Sequence, residues 1–485
     1  MNATARDRLA GFDDLGEVHD LGHLVHRRIR DDYKLEAAKL HRIYSDANLA
    51  AAGIVDTVLR ADGDLEHRKL VTSYPYEWPA NMYKDAALFH LGLFADLDKA
   101  GLTLKDALPN NIVFDHTSPV FVDFLSLVPI GALKDVAWLY AQDYADARFA
   151  VVDRMLMPYL ILPLLFQARG QYRIARDLLS WRSCNCDGKP PSWLELLRPN
   201  RRPGFGWPKD YLLSLGAAAR LLPSRIGNRG KSAAAFLPLV RDLTRQVQAM
   251  DVTPPRSAYS SYYDEKKEAL SLREPPAAFP PKQRAVHDVL RARAPGTVLD
   301  IGANTGWYSM LAANLGASVT ALEEDESCVD ILYGQARKQG LRILPLKLSF
   351  GDLATQIHGS RATVPHYDYS QAGPQALYRA GVDRLGADLV LVLGLLHHLV
   401  LGEGRSFDAV FETLRRLACK TLVLEFVALD DEKIRDDPGF FPSLRKFNPS
   451  NYNLEALVQA GRRHFPAVEV RASHPSTRTI LVLDK

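Results

Sequence analysis

The 485 residues carry 60 Lys and Arg against 57 Asp and Glu, a net charge of +3, with 47% apolar and 24% charged residues. These are ordinary globular proportions; they exclude a collagenous, coiled-coil, mucin-like or wholly disordered chain, and so small a basic excess is no nucleic-acid footprint. Four cysteines make no disulfide framework in a chain this long, and the C-x-C pair Cys184 and Cys186 lacks a second ligand pair at zinc spacing. Reduced thiols in a cytoplasmic protein are expected, and no metal centre.

Residues 1–20 are charged throughout and do not read as a signal peptide. Residues 1–127 mix helical patterns, at 33–49 and 81–99, with strand-like runs. Within 102–127, Asp106 is followed five places later by Asn111, then an apolar strand, then Asp123 twelve places on. This spacing resembles the catalytic segment of the protein-kinase-like and aminoglycoside-phosphotransferase-like folds, where an Asp orients the acceptor hydroxyl and an Asn and a later Asp hold magnesium. No glycine-rich loop precedes it, and no V-A-I-K strand offers its lysine. The resemblance therefore implies a degenerate kinase-like α+β lobe that serves as scaffold or acceptor-recognition domain.

Residues 128–272 read as mostly helical, with patterns at 141–166 and 232–250 around a Pro- and Gly-rich loop at 184–208. The most apolar stretch, 155–166, is about 12 residues long and holds Pro158 and Pro163. That is too short to span a bilayer, so a buried segment is expected and no transmembrane segment. The basic segment 198–245 reads as a solvated helical face or as a contact for a polyanion or membrane surface. Pro254, Pro255, Pro275, Pro276, Pro280 and Pro281 mark a connector, because that density continues neither helix nor strand.

Residues 273–485 alternate strands and helices. TVLDI at 297–301 is a short buried strand that runs into Gly302-Ala303-Asn304-Thr305-Gly306; a helix pattern follows at 307–315, stopped by Gly316. Strand, glycine turn and helix make the nucleotide-binding opening of a doubly wound sheet. A second strand, 317–322, ends on Glu323, 23 residues after Asp300, where a carboxylate can accept both hydroxyls of a ribose; Asp325 competes for that place. A dinucleotide fingerprint would need glycine at Asn304, and no P-loop follows. Strands are predicted at 343–348, 388–394 and 421–427, a helix at 407–417 from its 3.6-residue period, and a closing hairpin-like pair at 468–472 and 479–483.

The pattern D-x-G-x-N-x-G and this strand order resemble class I S-adenosyl-L-methionine-dependent methyltransferases. The resemblance implies an α/β fold, a C-terminal seven-stranded Rossmann-like methyltransferase domain over 273–485, whose last strand is antiparallel. It implies that Asp300 reaches the methionine end of the cofactor, and that Asp300, Gly302, Asn304, Gly306 and Glu323 form its site. Relatives hold the adenine amino group with an acid after the third strand; here Ser349 stands there, with Asp352 three residues on, and either serves. Tyr259, Tyr262, Tyr263 and Lys282 precede the first strand, where aromatics stack on the adenine, shield a sulfonium or simply pack the linker.

His397 and His398 follow the fourth strand, at the sheet edge where ligands of open α/β sheets bind. A histidine titrates near ~6.5 and suits base work at neutral pH. One of the pair is expected to face the acceptor; adjacent histidines are expected to point apart, which disfavours a metal site. Glu425, in the fifth strand, lines the acceptor pocket or stands at a strand end facing water.

Segments 73–91, 105–114, 298–306, 395–399 and 424–427, in this order, resemble a family of bacterial two-part methyltransferases, some labelled rhizobial nodulation proteins. The resemblance spans about residues 20–485 and supplies no substrate. It implies a cytoplasmic enzyme that moves a methyl group to a small-molecule or glycan-type acceptor by in-line displacement. The alternatives are a bifunctional kinase–methyltransferase using Asp106, Asn111 and Asp123 for Mg-ATP, and a binding protein that keeps the cofactor fold without transfer. No nucleic-acid partner is expected, and oligomeric state is left open.

Overall fold

The computed structural model describes residues 15–136, 141–173, 175–176, 179, 228–261, 272, 274–354, 379–435 and 451–485. Tyr262, Tyr263, the Cys184–Cys186 pair and most of the basic segment lie outside the described residues. The contacts form two units: the first holds described residues of 15–76 and 80–253, the second those of 77–79, 254–354 and 379–485.

The first unit opens with strands β1 (Gly16–Asp20), β2 (Leu24–Ile29), β3 (Thr57–Leu59) and β4 (Leu65–Arg68), an antiparallel sheet in the order β1-β2-β4-β3. Helix α1 (Lys34–Asp46) lies between β2 and β3 in the chain and buries Ala37, Leu40 and Tyr44, one helical face. The Tyr44 hydroxyl ties it to the sheet region by donating to the Val55 carbonyl at 3.1 Å. Helix α2 (Ala80–Lys99) is buried along most of its length, from Met82 and Tyr83 to Phe94 and Leu97. After it, β5 (Leu102–Leu104) pairs with β8 (Leu127–Pro129), and β6 (Ile112–Asp115) with β7 (Ser118–Phe121). Asp106, Asn111 and Asp123 therefore lie in the segments that join these two ladders.

The apolar stretch at 155–166 is longer than its composition suggests. It belongs to a 20-residue helix, α3 (Arg148–Gln167), long and apolar enough to cross a membrane, of which 78% of the most apolar window is buried inside the protein. Pro158 lies within a π-helical middle section, whose wider turn accommodates the missing N–H. Helix α4 (Phe236–Ala249) buries Phe236, Val240, Leu243 and Val247, and the Lys84 ammonium of α2 donates to its C-terminal carbonyls at Gln248 and Met250.

The second unit is a seven-stranded sheet: β9 (Thr297–Ile301), β10 (Ser318–Glu323), β11 (Ile343–Lys347), β12 (Ala387–Val392), β13 (Ala418–Val427), β14 (Ala467–Ala472) and β15 (Arg478–Asp484). Their order is β11-β10-β9-β12-β13-β15-β14. The first five are parallel, and β15 runs antiparallel between β13 and β14. The chain starts in the middle at β9, winds outward to β11, then crosses to β12 on the other side. This reversal leaves a crevice at the carboxyl ends of β9 and β12. Helices α5 (Pro281–Arg293), α6 (Trp307–Asn314), α7 (Glu326–Gln339), α8 (Phe407–Leu417) and α9 (Leu454–His464) accompany the sheet. Parallel strands covered on both faces read as apolar runs, which is why β9, β10, β11 and β12 fall close to their predicted places.

Candidate functional site

The carboxyl ends of β9, β10 and β12 open onto a cleft of about 620 Å³. Its floor is the turn after β9. Gly302 and Gly306 adopt φ of 78° and 87°, and Asn304 between them a φ of 52°. A Cβ on Gly306 would overlap the Cδ1 of Leu332, a fully buried core side chain of α7. The turn is sewn down from both sides: the Gly302 and Ala303 N–H groups donate to the Leu322 carbonyl of β10, and the Asn304 side-chain amide donates to the Tyr259 carbonyl at 3.1 Å.

Glu323, at the end of β10, accepts the Asn304 N–H at 2.7 Å on one oxygen and the Asp325 N–H at 2.8 Å on the other. Burial pushes its carboxyl up, against the pull of these backbone N–H groups. Each oxygen retains acceptor capacity for a further donor. Asp325 is committed elsewhere: its side chain caps α7 by accepting the Cys328 N–H. The two acids that compete in the sequence thus differ in work, although both line the cleft. Asp300 is 2% exposed and accepts the Ser309 hydroxyl at 2.6 Å. Burial raises its carboxyl to about 6, Ser309 and Lys282 oppose the rise, and Glu323 adds to it.

Ser349 and Phe350 line the wall beyond β11, and Ser349 donates both its N–H and its hydroxyl to Asp352 Oδ2 at 3.0 and 2.7 Å. Ser349 meets the cleft, and Asp352 holds Ser349.

Leu395 lies against the Gly302 turn, where a Cβ on the glycine would come 3.5 Å from its Cδ2, and the far end of the cleft is formed by His397, His398, Glu403, Lys433 and Arg478. The two imidazoles do not point apart: their centroids are 4.2 Å from each other with planes tilted 43°. Both are held neutral. Burial depresses the His397 imidazole well below its ordinary value, helped by His398 and Arg478; burial and Lys433 depress that of His398. Arg478 is anchored by Asp431, whose carboxyl burial would raise but which the hydrogen bonds of Arg478 and Thr477 hold well below the carboxylate range. Among the described residues, no group of three His, Cys, Asp or Glu is placed to hold a metal ion. Lys433 and Arg478 carry no signal in the sequence, because only the antiparallel return of β15 brings the second to this end.

Glu425 does not face water. It is wholly buried on β13, and its Oε2 accepts the Lys282 ammonium at 2.7 Å. Tyr259, which also lines the cleft, is 47% exposed.

In the first unit, Asp106, Asn111 and Asp123 come together. The Asn111 side-chain amide donates to the Asp106 carbonyl at 3.4 Å, and Ser126 bonds both the N–H and the carbonyl of Asp106. Burial, with Asp123 nearby, raises the Asp106 carboxyl to about 6. The residue missing from the sequence pattern is Arg27 of β2, whose two terminal nitrogens each donate to Asp123 Oδ1 at 3.2 Å. A partner 96 residues upstream has no spacing signature.

No family model matches the chain. It is 25% identical over 426 residues, 85% of this chain and 80% of the other, to nodulation protein NoeA of Rhizobium meliloti (strain 1021). Among solved structures, monomeric WbdD matches at 15% identity and a TM-score of 0.27 over 47% of this chain, which spans less than half, 42%, of that one. Magnesium protoporphyrin IX methyltransferase (ChlM) from Synechocystis PCC 6803, solved with bound SAH, matches at 17% identity and a TM-score of 0.26, covering 41% of this chain and 80% of that one. The chain is thus similar, over most of its length, to a bacterial protein labelled a nodulation protein, and its second unit carries the seven-stranded sheet with an antiparallel last strand that the class I methyltransferase resemblance implies.

Proposed function

We propose that the second unit binds S-adenosyl-L-methionine in this cleft and transfers its methyl group to a small-molecule or glycan-type acceptor. The observation that carries the reading is the assembly of Asp300, the Gly302–Gly306 turn and Glu323 around one crevice at the reversal point of the sheet. The residues fit such a group. Glu323 has acceptor capacity for ribose hydroxyls, Asp300 offers a buried carboxylate to an ammonium, and Leu348, Phe350 and Leu395 give apolar walls to a planar base.

When bound, the cofactor supplies an electrophilic methyl carbon that already carries its leaving group. What is left to the protein is alignment and, for a protonated acceptor, removal of a proton. Of the pair, His398 suits the second task better, because burial depresses the His397 imidazole further below its ordinary value and so weakens it more as a base. The first unit is the scaffold or acceptor-recognition part of the protein under this reading.

Titration calorimetry of the full chain with S-adenosylhomocysteine tests it. Micromolar binding is expected, lost on Glu323→Ala and on Gly302→Arg; absence of binding by the wild-type chain sinks the reading. Binding without transfer to any member of an acceptor panel would favour a cofactor-fold binding protein instead. Phosphotransfer by the first unit is a second reading, favoured by the meeting of Asp106, Asn111 and Asp123 and opposed by the Arg27 guanidinium that occupies Asp123.

A further inference from the structure

Lys282 stands in the first turn of α5 and lines the cleft. Its ammonium donates to Glu425 Oε2 at 2.7 Å and lies 5.6 Å from the centre of the Tyr308 ring. The carboxylate it rests on is fully buried, and Glu425 Oε1 has no hydrogen-bond partner among the described residues. Glu425 sits immediately behind the cleft wall, since a Cβ on Gly394 would come 3.7 Å from its Oε2. Buried carboxylate oxygens are seldom left unmatched, because desolvation without a partner costs a full hydrogen bond.

Lys282 and Asp300 share one part of this wall closely enough for the ammonium to oppose the rise of the Asp300 carboxyl. Lys282, seated on Glu425, and the buried Asp300 both line the cleft, and together they complement an α-amino-acid group: the cation meets its carboxylate, and Asp300 meets its ammonium. We propose that Lys282, seated on Glu425, receives the carboxylate of the cofactor's amino-acid end, so that the cleft reads that end as well as the adenosine. This rests on the S-adenosyl-L-methionine reading and adds a residue and a ligand group to it.

The experiment compares S-adenosylhomocysteine, its carboxamide and 5′-methylthioadenosine, which lacks the amino-acid end, by calorimetry on the full chain. In the wild type, amidation is expected to weaken binding about 10- to 100-fold, as loss of a charge-assisted hydrogen bond does. In Lys282→Met the acid and the amide are expected to bind alike, both near the wild-type amide value, with 5′-methylthioadenosine unchanged and Lys282→Arg retaining most of the preference. The proposal is overturned if Lys282→Met keeps the acid-over-amide preference, or if it weakens all three ligands equally. Should Lys282→Met not fold, the wild-type comparison decides alone: equal binding of acid and amide overturns the proposal. Failure of the wild-type chain to bind any of the three is a different result, because it removes the cofactor reading itself.

Discussion

At the scale of single residues, the cleft depends on carboxylates kept where water would normally be. Asp300 is raised to about 6 by burial, so its charge is available only above that pH. A ligand ammonium needs the ionised form. Affinity for S-adenosylhomocysteine is therefore expected to be flat above about pH 7 and to fall towards about tenfold per unit below 6. Asp300→Asn should lower the affinity and flatten this profile, as calorimetry at several pH values would show. For the free protein the sign reverses. The folded value lies above the ordinary carboxyl value, so ionised Asp300 costs stability above pH 6, and the cost fades as pH falls through it. Denaturation midpoints of Asp300→Asn should accordingly exceed wild type at pH 8 and lose that advantage towards pH 4. Much of this residue set was legible in the sequence, because Asp300, Gly302, Asn304 and Glu323 lie within one strand–turn–helix–strand passage. Glu425 and Lys282 were visible only separately. They are 143 residues apart, and only the sheet order shows that one seats the other.

At the scale of elements, the turn between β9 and α6 is shaped by contact as well as by backbone conformation. Gly306 and Gly316 both have positive φ, but a Cβ on Gly316 would meet nothing within 4 Å whereas one on Gly306 would strike Leu332. Gly316→Ala is expected to cost about 1 kcal/mol, the left-handed penalty alone. Gly306→Ala adds overpacking and should cost roughly 2–4 kcal/mol, read as the difference in urea midpoints at constant slope. Comparable midpoints for the two variants would show that Leu332 yields. The parallel strands and amphipathic α8 were legible because burial on both faces, or on one stripe, leaves a plain apolar pattern. The first three residues of β13 were not, since Cys419 and Lys420 are exposed and the charged Lys420 interrupts the apolar run. Nor was the length of α3, because prolines ordinarily end a helix; here Pro158 is absorbed by a π-helical section and Pro163 stands at the start of the α-helical section that follows.

At the scale of the whole molecule, two units differ in whether a cation already holds the acids of their candidate sites. In the second, the carboxylates of Asp300 and Glu323 line an open cleft. In the first, Asp123 is already held by Arg27, itself only 7% exposed. A magnesium ion would have to displace that guanidinium or share Asp123 with it, against the repulsion of the two cations. No thermal shift with ATP and magnesium is expected of the wild-type chain; a shift that Asn111→Ala removes would establish the phosphotransfer reading instead. Asp123→Ala is a poor probe of nucleotide binding, because it strands Arg27 and should destabilise by about 3 kcal/mol with or without ATP. Helix α3 adds a kinetic consequence. Its 20 residues are apolar enough for a bilayer and are hidden only while the first unit stays folded. Heating exposes them together, and chains that meet in that state associate faster than they refold. Thermal denaturation of this unit should therefore end in aggregate, with a midpoint that climbs as the scan is quickened, so that its endurance is a rate and no longer an equilibrium.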